Sequence, residues 1–203
     1  MVTCLSVPIV KTDSSSSRQV LLFFGSPRAQ GHTARLLERF WEALPEESLE
    51  IKKIDAYQAR VSPCIHCGDC EKTPSCRFHD MDEMDRLLRA SDLLLFASPV
   101  YGLGFPAPLK AMLDRFQRYY AERFFLEKRP LMERPKRAVL LTVSGSADES
   151  GAQNMARALT RQFTVMNTKL IGHFHRPNTD RGTELSKEEK EALRQLGKDW
   201  LRD

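Results

Sequence analysis

Short apolar runs recur along the chain and predict the strands of a sheet. Three of them, Val20–Phe24, Leu93–Ala97 and Ala138–Val143, are unbroken, which suits central parallel strands covered by helices on both faces. Leu49–Ile54 alternates partly between apolar and polar residues, as expected of a strand at the edge of a sheet. Lys169–Phe174 is a weaker fifth candidate, which we also place at an edge.

Segments with helical period lie between these runs. Each carries apolar residues three or four positions apart, which predicts one buried helix face. The stripes run over Leu36–Leu44, Met84–Leu88, Leu109–Phe116, Met155–Met166 and Leu193–Trp200. Asp80 with Glu83, and Ser186 with Glu189, have the spacing of N-terminal capping pairs for two of these helices.

The order of these elements predicts the fold class. Five strands alternate with five helices, which favours an α/β domain with a doubly wound parallel sheet. The two edge-like strands are the second and the fifth, in agreement with the strand order 2-1-3-4-5 of flavodoxin-like folds. We predict one such domain over residues 19–203, preceded by a flexible lead-in over residues 1–18 that contains four consecutive serines.

Composition and charge narrow the possible environments. A chain of 203 residues with net charge +4 is long enough for one compact domain and too weakly basic to indicate nucleic acid binding. No segment approaches the roughly 18 unbroken apolar residues that a membrane span needs. Residues 1–10 lack the basic start and apolar block of a secretory signal. We therefore expect a cytoplasmic protein with reduced thiols and no membrane partner.

A polar loop follows the first predicted strand and leads directly into a helix. Gly25 and Gly31 allow close backbone approach, Ser26 and Thr33 supply hydroxyl groups, and Arg28 supplies a positive charge. The start of a helix has unpaired N–H groups and a positive dipole end, which stabilise an anion. The loop has neither the dinucleotide G-x-G-x-x-G pattern nor the Walker pattern. Its place after the first strand of this topology favours a phosphate site over an ordinary turn.

Two further loops are expected at the same edge of the sheet. Ser98–Gly102 follows the third strand, which flanks the first strand at the topological switch point. Its Pro, Tyr and Gly offer backbone amides and an aromatic face, which suits a flat heteroaromatic ring. Thr142–Ser146 ends the fourth strand and gives a weaker signal, because a simple turn into the next helix explains it equally well.

Four cysteines are clustered within thirteen residues. Cys64, Cys67, Cys70 and Cys76 have the spacing C-x2-C-x2-C-x5-C. Four thiolates suit a 4Fe–4S cluster or a tetrahedral zinc ion. Zinc sites more often use two separated C-x2-C knuckles, so the compact spacing favours the cluster. Zinc, unligated thiols and a reversible disulfide remain open.

The motifs together resemble those of a known family. The strings GSPRAQGHT at 25–33 and SPVYGLGFPAPLKAMLDRF at 98–116, with the cysteines between them, are similar to those of the NADPH-dependent FMN reductase and iron–sulfur flavoprotein family. The resemblance covers Val20 to Gly145. It implies a flavodoxin-like fold and non-covalent binding of FMN.

The resemblance also implies site residues by position. The phosphate contacts of the family correspond to Ser26, Arg28, His32 and Thr33. Its isoalloxazine contacts correspond to Pro99, Val100, Tyr101 and Gly102, with Ser144 and Gly145 assisting. The spacing of Cys64, Cys67, Cys70 and Cys76 also matches the compact motif of the iron–sulfur flavoproteins.

The implied function is transfer of electrons from NAD(P)H through FMN, and through a 4Fe–4S cluster, to a small-molecule or protein acceptor. The cofactors carry this chemistry, so we assign no catalytic side chain. The resemblance implies a homodimer or homotetramer. Two alternatives remain: a ferredoxin-linked electron-transfer flavoprotein that uses no nicotinamide, and a cysteine-based metal or redox sensor on the same scaffold.

Overall fold

Five parallel strands form the central sheet. The computed structural model describes residues 5–6, 17–182 and 184–202. The strands are β1 (Arg18–Phe24), β2 (Leu49–Asp55), β3 (Leu93–Pro99), β4 (Lys136–Val143) and β5 (Thr168–Arg176). They lie in the order β2-β1-β3-β4-β5. The predicted flavodoxin-like, doubly wound parallel sheet in the order 2-1-3-4-5 is confirmed.

Seven α-helices lie in the described part of the chain, six between strands and one after β5. They are α1 (His32–Ala43), α2 (Ala56–Ala59), α3 (Asp82–Ala90), α4 (Ala107–Asp114), α5 (Gln117–Phe124), α6 (Ser150–Phe163) and α7 (Lys187–Leu201). Five of them coincide with the predicted apolar stripes. The stripe that continues to Phe116 leaves helix α4 after Asp114, and the short helices α2 and α5 have no counterpart in the sequence-based prediction.

The sheet separates two hydrophobic cores because side chains alternate along each strand. On one face, Leu21, Phe23 and Phe96 pack against α3, α4, α5 and α6. The rings of Phe23 and Phe96, on neighbouring strands, stack with their centres 4.5 Å apart. On the other face, Leu22 and Leu95 pack against α1 and α7. Burial on both faces explains why the central strands are continuously apolar.

The two predicted capping pairs have different outcomes. Ser186 caps α7: its side chain accepts a hydrogen bond from the Glu189 N–H, and the Glu189 carboxylate accepts one from the Ser186 N–H. The prediction for Asp80 is wrong, because α3 begins after Met81 and Asp80 does not cap it. The Asp80 carboxylate instead accepts a hydrogen bond from the Ser62 N–H at 2.7 Å, a contact across 18 residues of chain.

An additional strand extends the β2 edge of the sheet. Leu5–Ser6 pairs antiparallel with Lys52 and Lys53, an element that the sequence pattern does not predict. Of the predicted lead-in over residues 1–18, the structure describes only Leu5, Ser6, Ser17 and Arg18, so the lead-in otherwise lies outside the described residues. Among all the residues that the structure describes, no helix is both long enough and apolar enough to cross a membrane.

Candidate functional site

The loop between β1 and α1 has an open helix N-terminus. The Ser26 side chain is buried, and its hydroxyl accepts a hydrogen bond from the Arg28 N–H at 3.2 Å. The Gly31 N–H donates to the Arg28 carbonyl at 3.2 Å, which closes the loop. Helix α1 begins directly after Gly31, and its first turn contains no acidic residue. Gly31 occupies the N-cap position and has no side chain that could accept from the first N–H groups of α1. These N–H groups therefore suit an anion.

The predicted phosphate contacts occupy different parts of this loop. Ser26 and Thr33 are buried at the loop, whereas Arg28 is exposed. His32 lines a cavity of about 420 Å³ between α1 and the segment that follows β5. Arg176, the last residue of β5, lines the same cavity. The Nδ1 atom of His32 is buried and has no hydrogen-bond partner. Contact of these four residues with a phosphate stays a prediction.

The loop after β3 contains a tight turn with an exposed aromatic ring. Tyr101 and Gly104 exchange backbone hydrogen bonds of 2.9 and 3.0 Å, and the two residues between them, Gly102 and Leu103, have φ values of +52° and +63°. Two consecutive positive φ values are typical of a type I′ turn. Tyr101 is 49% exposed and Leu103 is 55% exposed. The turn thus presents apolar surface to solvent at the carboxyl edge of the sheet.

The loop after β4 is held by the segment that follows β5. The Ser144 N–H donates to the Arg176 carbonyl at 3.0 Å, and the Ser144 carbonyl accepts from the Thr179 N–H, also at 3.0 Å. Gly145 lies against Asp180 so closely that a Cβ atom there would be 2.4 Å from the Asp180 Oδ2 atom. A side chain at position 145 would therefore displace Asp180.

The three loops adjoin one another along one edge of the sheet. The Gly25 N–H donates to the Ala97 carbonyl at 2.8 Å, and a Cβ atom on Gly25 would be 3.0 Å from the Ser98 Oγ atom. The Val100 N–H donates to the Val143 carbonyl at 2.9 Å. The predicted convergence of the loops after β1, β3 and β4 is therefore present in the structure, at the switch point where ligands of such sheets bind.

The cysteine loop lies between α2 and α3. The four thiols of Cys64, Cys67, Cys70 and Cys76 are free, and all four residues line one pocket. Burial, assisted by the neighbouring Cys76, raises the pKa of the Cys70 thiol. Left-handed backbone at Gly68, with φ +78°, turns the chain between the second and third cysteines.

The donor set of this pocket fits a thiolate-bound metal, but the pocket is small. Its volume of about 20 Å³ leaves room for roughly one water molecule. Among the described residues, no three His, Cys, Asp or Glu side chains are arranged to hold a metal ion. Arg118 lines the same pocket, is 6% exposed and has an Nη1 atom without a hydrogen-bond partner. Its guanidinium places a positive charge at the lining of the pocket that the four cysteines share.

A single guanidinium fastens both ends of the cysteine loop. Arg115, 2% exposed, donates from Nη1 to the Ser62 carbonyl and to the Asp80 carboxylate, and from Nη2 to the Phe78 carbonyl, all at 2.8 Å. Burial raises the pKa of Asp80, but hydrogen bonds from Ser62 and Arg115 outweigh this effect and hold it below its ordinary value. Arg115 therefore anchors residues on either side of all four cysteines.

Two histidines on β5 meet a buried threonine on β4. The Thr142 Oγ1 atom lies 2.6 Å from His173 Nε2 and 2.9 Å from His175 Nδ1. His175 Nε2 lies 3.2 Å from the Ser144 Oγ atom in the loop after β4. Sequence reasoning missed this cluster, although the alternation of two histidines around Phe174 places both imidazoles on one face of a strand.

Comparison with known proteins identifies the family. The model of the NADPH-dependent FMN reductase family matches residues 18–178, which include all three loops and the cysteine loop. The chain belongs to this family. The resemblance seen in the motifs is thereby confirmed, and the match extends beyond Gly145 through β5.

Curated relatives of this FMN reductase family member are iron-sulfur flavoproteins. One from Archaeoglobus fulgidus is 31% identical over 144 residues, which are 70% of this chain and 69% of the relative. Another from the same organism is 34% identical over 96 residues, 47% of this chain and 44% of the relative. The chain spans about half the length of several curated relatives that it matches.

A solved structure shows the same fold. The NAD(P)H:quinone oxidoreductase from Methanothermobacter marburgensis superposes with a TM-score of 0.64 and covers 93% of this chain and 98% of its own. Its sequence identity is 19%, so this likeness supports the fold alone. The flavodoxin-like sheet of this FMN reductase family member is thus shared with a distant structure.

We predict that Arg115→Lys loosens the cysteine loop. A lysine ammonium cannot reach the three acceptors that the guanidinium holds, and each charge-assisted hydrogen bond contributes roughly 1.5–3 kcal/mol. The free energy of unfolding should fall by about 2 kcal/mol, and the thiols should react faster with a thiol reagent. Urea unfolding and thiol titration would measure these two effects.

Lys110→Gln is the matched control, because it removes the exposed ion pair between Lys110 and Asp114 in α4, the helix that ends just before Arg115. It should leave both quantities near those of the wild type. If Arg115→Lys also behaves like the wild type, Arg115 does not anchor the loop.

We predict a pH dependence of stability from His173. Burial, assisted by His175, lowers the pKa of His173 from its ordinary 6.5 to about 4. Between these values the unfolded chain binds a proton that the folded chain does not, so stability falls as pH decreases from 6.5 to 4. The loss from this group should reach about 2–3 kcal/mol, measured as the difference between wild type and His173→Gln. Parallel stability curves for the two proteins over this range would contradict the assignment.

Proposed function

We propose that this chain is an NAD(P)H-using flavin oxidoreductase that binds FMN without a covalent bond where the loops after β1, β3 and β4 meet. The observation that carries the proposal is the contact between these loops, with an uncapped helix N-terminus at one side and an exposed aromatic turn at the other. Membership of the FMN reductase family supports FMN as the ligand.

In this proposal the β1–α1 loop binds the phosphate of FMN. The N–H groups at the start of α1 face the anion, and the hydroxyls of Ser26 and Thr33 donate to its oxygens. Arg28 is exposed and supplies a charge from the solvent side of the loop. His32 has a buried ring nitrogen without a partner, which a phosphate oxygen or a ribityl hydroxyl would satisfy.

The isoalloxazine ring is assigned to the loops after β3 and β4. Residues Pro99–Gly102 supply the backbone of the turn and the half-exposed Tyr101 ring, and Ser144 and Gly145 assist from the other side. A bound flavin supplies two-electron acceptance of a hydride and release of single electrons. The side chains of this site bind and orient the ring, and we assign no catalytic side chain.

A 4Fe–4S cluster held by Cys64, Cys67, Cys70 and Cys76 is the proposed second cofactor. The cysteine spacing, the four-thiol donor set beside Arg118 and the iron-sulfur flavoprotein names of the curated relatives support it. A zinc ion is the alternative metal for these four cysteine ligands. The pocket would have to widen to admit either a cluster or an ion, so we derive no electron step through it.

The proposed partners follow from this reaction. A nicotinamide donates the hydride, and a small molecule or a protein accepts the electrons. The name of the solved relative, a quinone oxidoreductase, makes a quinone one chemical class of acceptor to test. A homodimer or homotetramer is proposed from the family resemblance, and a cytoplasmic location from the sequence of residues 1–10.

A second candidate function is electron transfer from a ferredoxin-like protein without nicotinamide. The net charge of +4 is compatible with it, because a positive surface attracts an acidic donor protein. The two candidates differ in the donor that reduces the flavin and share its binding site.

The experiment that tests the proposal is an anaerobic visible spectrum of the purified, FMN-reconstituted chain, with iron, sulfide and zinc analysis. We expect flavin absorption that survives gel filtration and bleaches on addition of NADH or NADPH, together with four iron and four sulfide per chain. Cys67→Ser should lose iron and sulfide and keep the flavin. Failure to retain flavin, or retained flavin that only reduced ferredoxin bleaches, would overturn the nicotinamide-using function. Zinc in place of iron would overturn the cluster alone.

A further inference from the structure

A continuous chain of polar atoms runs from the loop after β4 to the edge strand β5. Its links are Ser144 Oγ to His175 Nε2 at 3.2 Å, His175 Nδ1 to Thr142 Oγ1 at 2.9 Å, and Thr142 Oγ1 to His173 Nε2 at 2.6 Å. Thr142 is fully buried, whereas Ser144 and His173 at the two ends are partly exposed. The chain therefore connects solvent at the edge of the sheet with the loop assigned to the isoalloxazine ring.

The hydrogen bonds along this series of polar atoms can all point in either of two directions. In one arrangement, His173 Nε2–H donates to Thr142, Thr142 donates to His175 Nδ1, and His175 Nε2–H donates to Ser144. The Ser144 hydroxyl then donates to the Ser146 carbonyl at 2.8 Å. In the other arrangement every bond is reversed, and the Ser144 hydroxyl donates to His175 Nε2. A hydroxyl has one proton and a neutral imidazole has one N–H, so each arrangement is complete.

Both imidazoles are held in the neutral form, which this reversal requires. Burial, with repulsion from His175, lowers the pKa of His173 to about 4, and burial also lowers the pKa of His175. Glu149, at the N-terminus of α6, acts in the opposite direction on the pKa of His175 but does not outweigh burial. A neutral imidazole accepts a proton at one nitrogen and releases one from the other, whereas an imidazolium only donates.

We propose that Ser144, His175, Thr142 and His173 form a proton relay that carries a proton from solvent at β5 to the reacting ligand at the β4 loop. This inference rests on the proposed function, which places a flavin beside Ser144. The relay residues lie outside the set that the family motifs assign, apart from Ser144 itself.

The relay conserves atoms and charge. The Ser144 hydroxyl releases its proton to the ligand and takes one from His175 Nε2, while His175 Nδ1 takes the proton of Thr142. Thr142 takes the proton of His173 Nε2, and His173 Nδ1 binds a proton from water. One proton enters for each that leaves, and the first hydrogen-bond arrangement becomes the second. A hydride supplies two electrons and one proton, so reduction that adds two hydrogens to a flavin needs one further proton, which this route would deliver.

The first test uses the flavin-free protein, so it does not depend on the proposed function. Long-range proton–nitrogen NMR of the histidine side chains distinguishes N–H from bare ring nitrogen. We expect both His173 and His175 to show averaged signals from two neutral tautomers at pH 7. Thr142→Val, of nearly the same shape, should leave each imidazole in one tautomer, and Thr142→Ser should restore the averaging. Fixed tautomers in the wild type, or averaging that persists in Thr142→Val, would overturn the relay.

The second test uses the FMN-loaded protein reduced by NADH or NADPH in stopped flow. Thr142→Val should reduce the rate of flavin reduction by about a hundredfold, the lower end of the range for lost proton transfer, and Thr142→Ser should recover it. Its affinity for FMN should stay within about twofold of the wild type, because Thr142 is not assigned to the FMN site. His175→Gln is the second variant if Thr142→Val does not fold, and it should lose rate to a similar extent.

Two results would overturn the relay in this second test. One is a wild-type rate of reduction in Thr142→Val or His175→Gln. The other is a Thr142→Ser variant as slow as Thr142→Val, which would indicate a packing effect. A protein that binds no FMN overturns the proposed function instead, and the NMR test then decides the relay on its own.

Discussion

The guanidinium of Arg115 joins the sheet-packed part of the molecule to the cysteine loop. It lies where α4 ends, and it reaches Ser62, Phe78 and Asp80 through three hydrogen bonds. Removing one partner of a buried ion pair typically costs about 3–5 kcal/mol, because the other charge is left without compensation. This single side chain therefore fixes where a loop of nearly twenty residues enters and leaves the domain.

Close contacts at glycines likewise fix the positions of the loops at the carboxyl edge of the sheet. Gly25 leaves no room for a side chain beside Ser98 and Leu109, and a Cβ atom on Gly151 of α6 would be 2.5 Å from the Val100 Cγ1 atom. These positions hold the loops after β1 and β3 against neighbouring helices. A ligand in the crevice would meet groups that are already in place, which reduces the entropy lost on binding. The sheet order brings the loops together, and these glycines set their spacing.

The parts of this structure that the sequence predicted are those determined by nearby residues or by burial. Continuous apolar runs mark β1, β3 and β4 because these strands are buried on both faces, and the Ser186–Glu189 pair is a local motif. The predicted strand order placed the loops after β1, β3 and β4 at one edge of the sheet, and the structure brings these loops together. Their assignment to FMN atoms stays a prediction.

The remaining features depend on residues that are distant along the chain. Asp80 has the spacing of a capping residue, but its hydrogen bonds go to Ser62 and Arg115, which the local pattern does not contain. The Thr142 cluster requires the register between β4 and β5, which pairs Thr142 with His175. Helix α5 buries Arg118 and Glu122 beside Tyr119, so its buried face is not an apolar stripe. Each of these features follows from tertiary contacts, which periodicity alone does not encode.

We propose that the N-terminus of α1, with Ser26 and Thr33, binds the phosphate of a flavin. Titration of the flavin-free chain with FMN and with riboflavin, followed by quenching of flavin fluorescence, tests it most directly, because the two ligands differ only in the phosphate. We expect FMN to bind at least about a hundredfold more tightly, equivalent to roughly 2.7 kcal/mol from charge-assisted hydrogen bonds. Equal affinities for the two ligands would contradict the account.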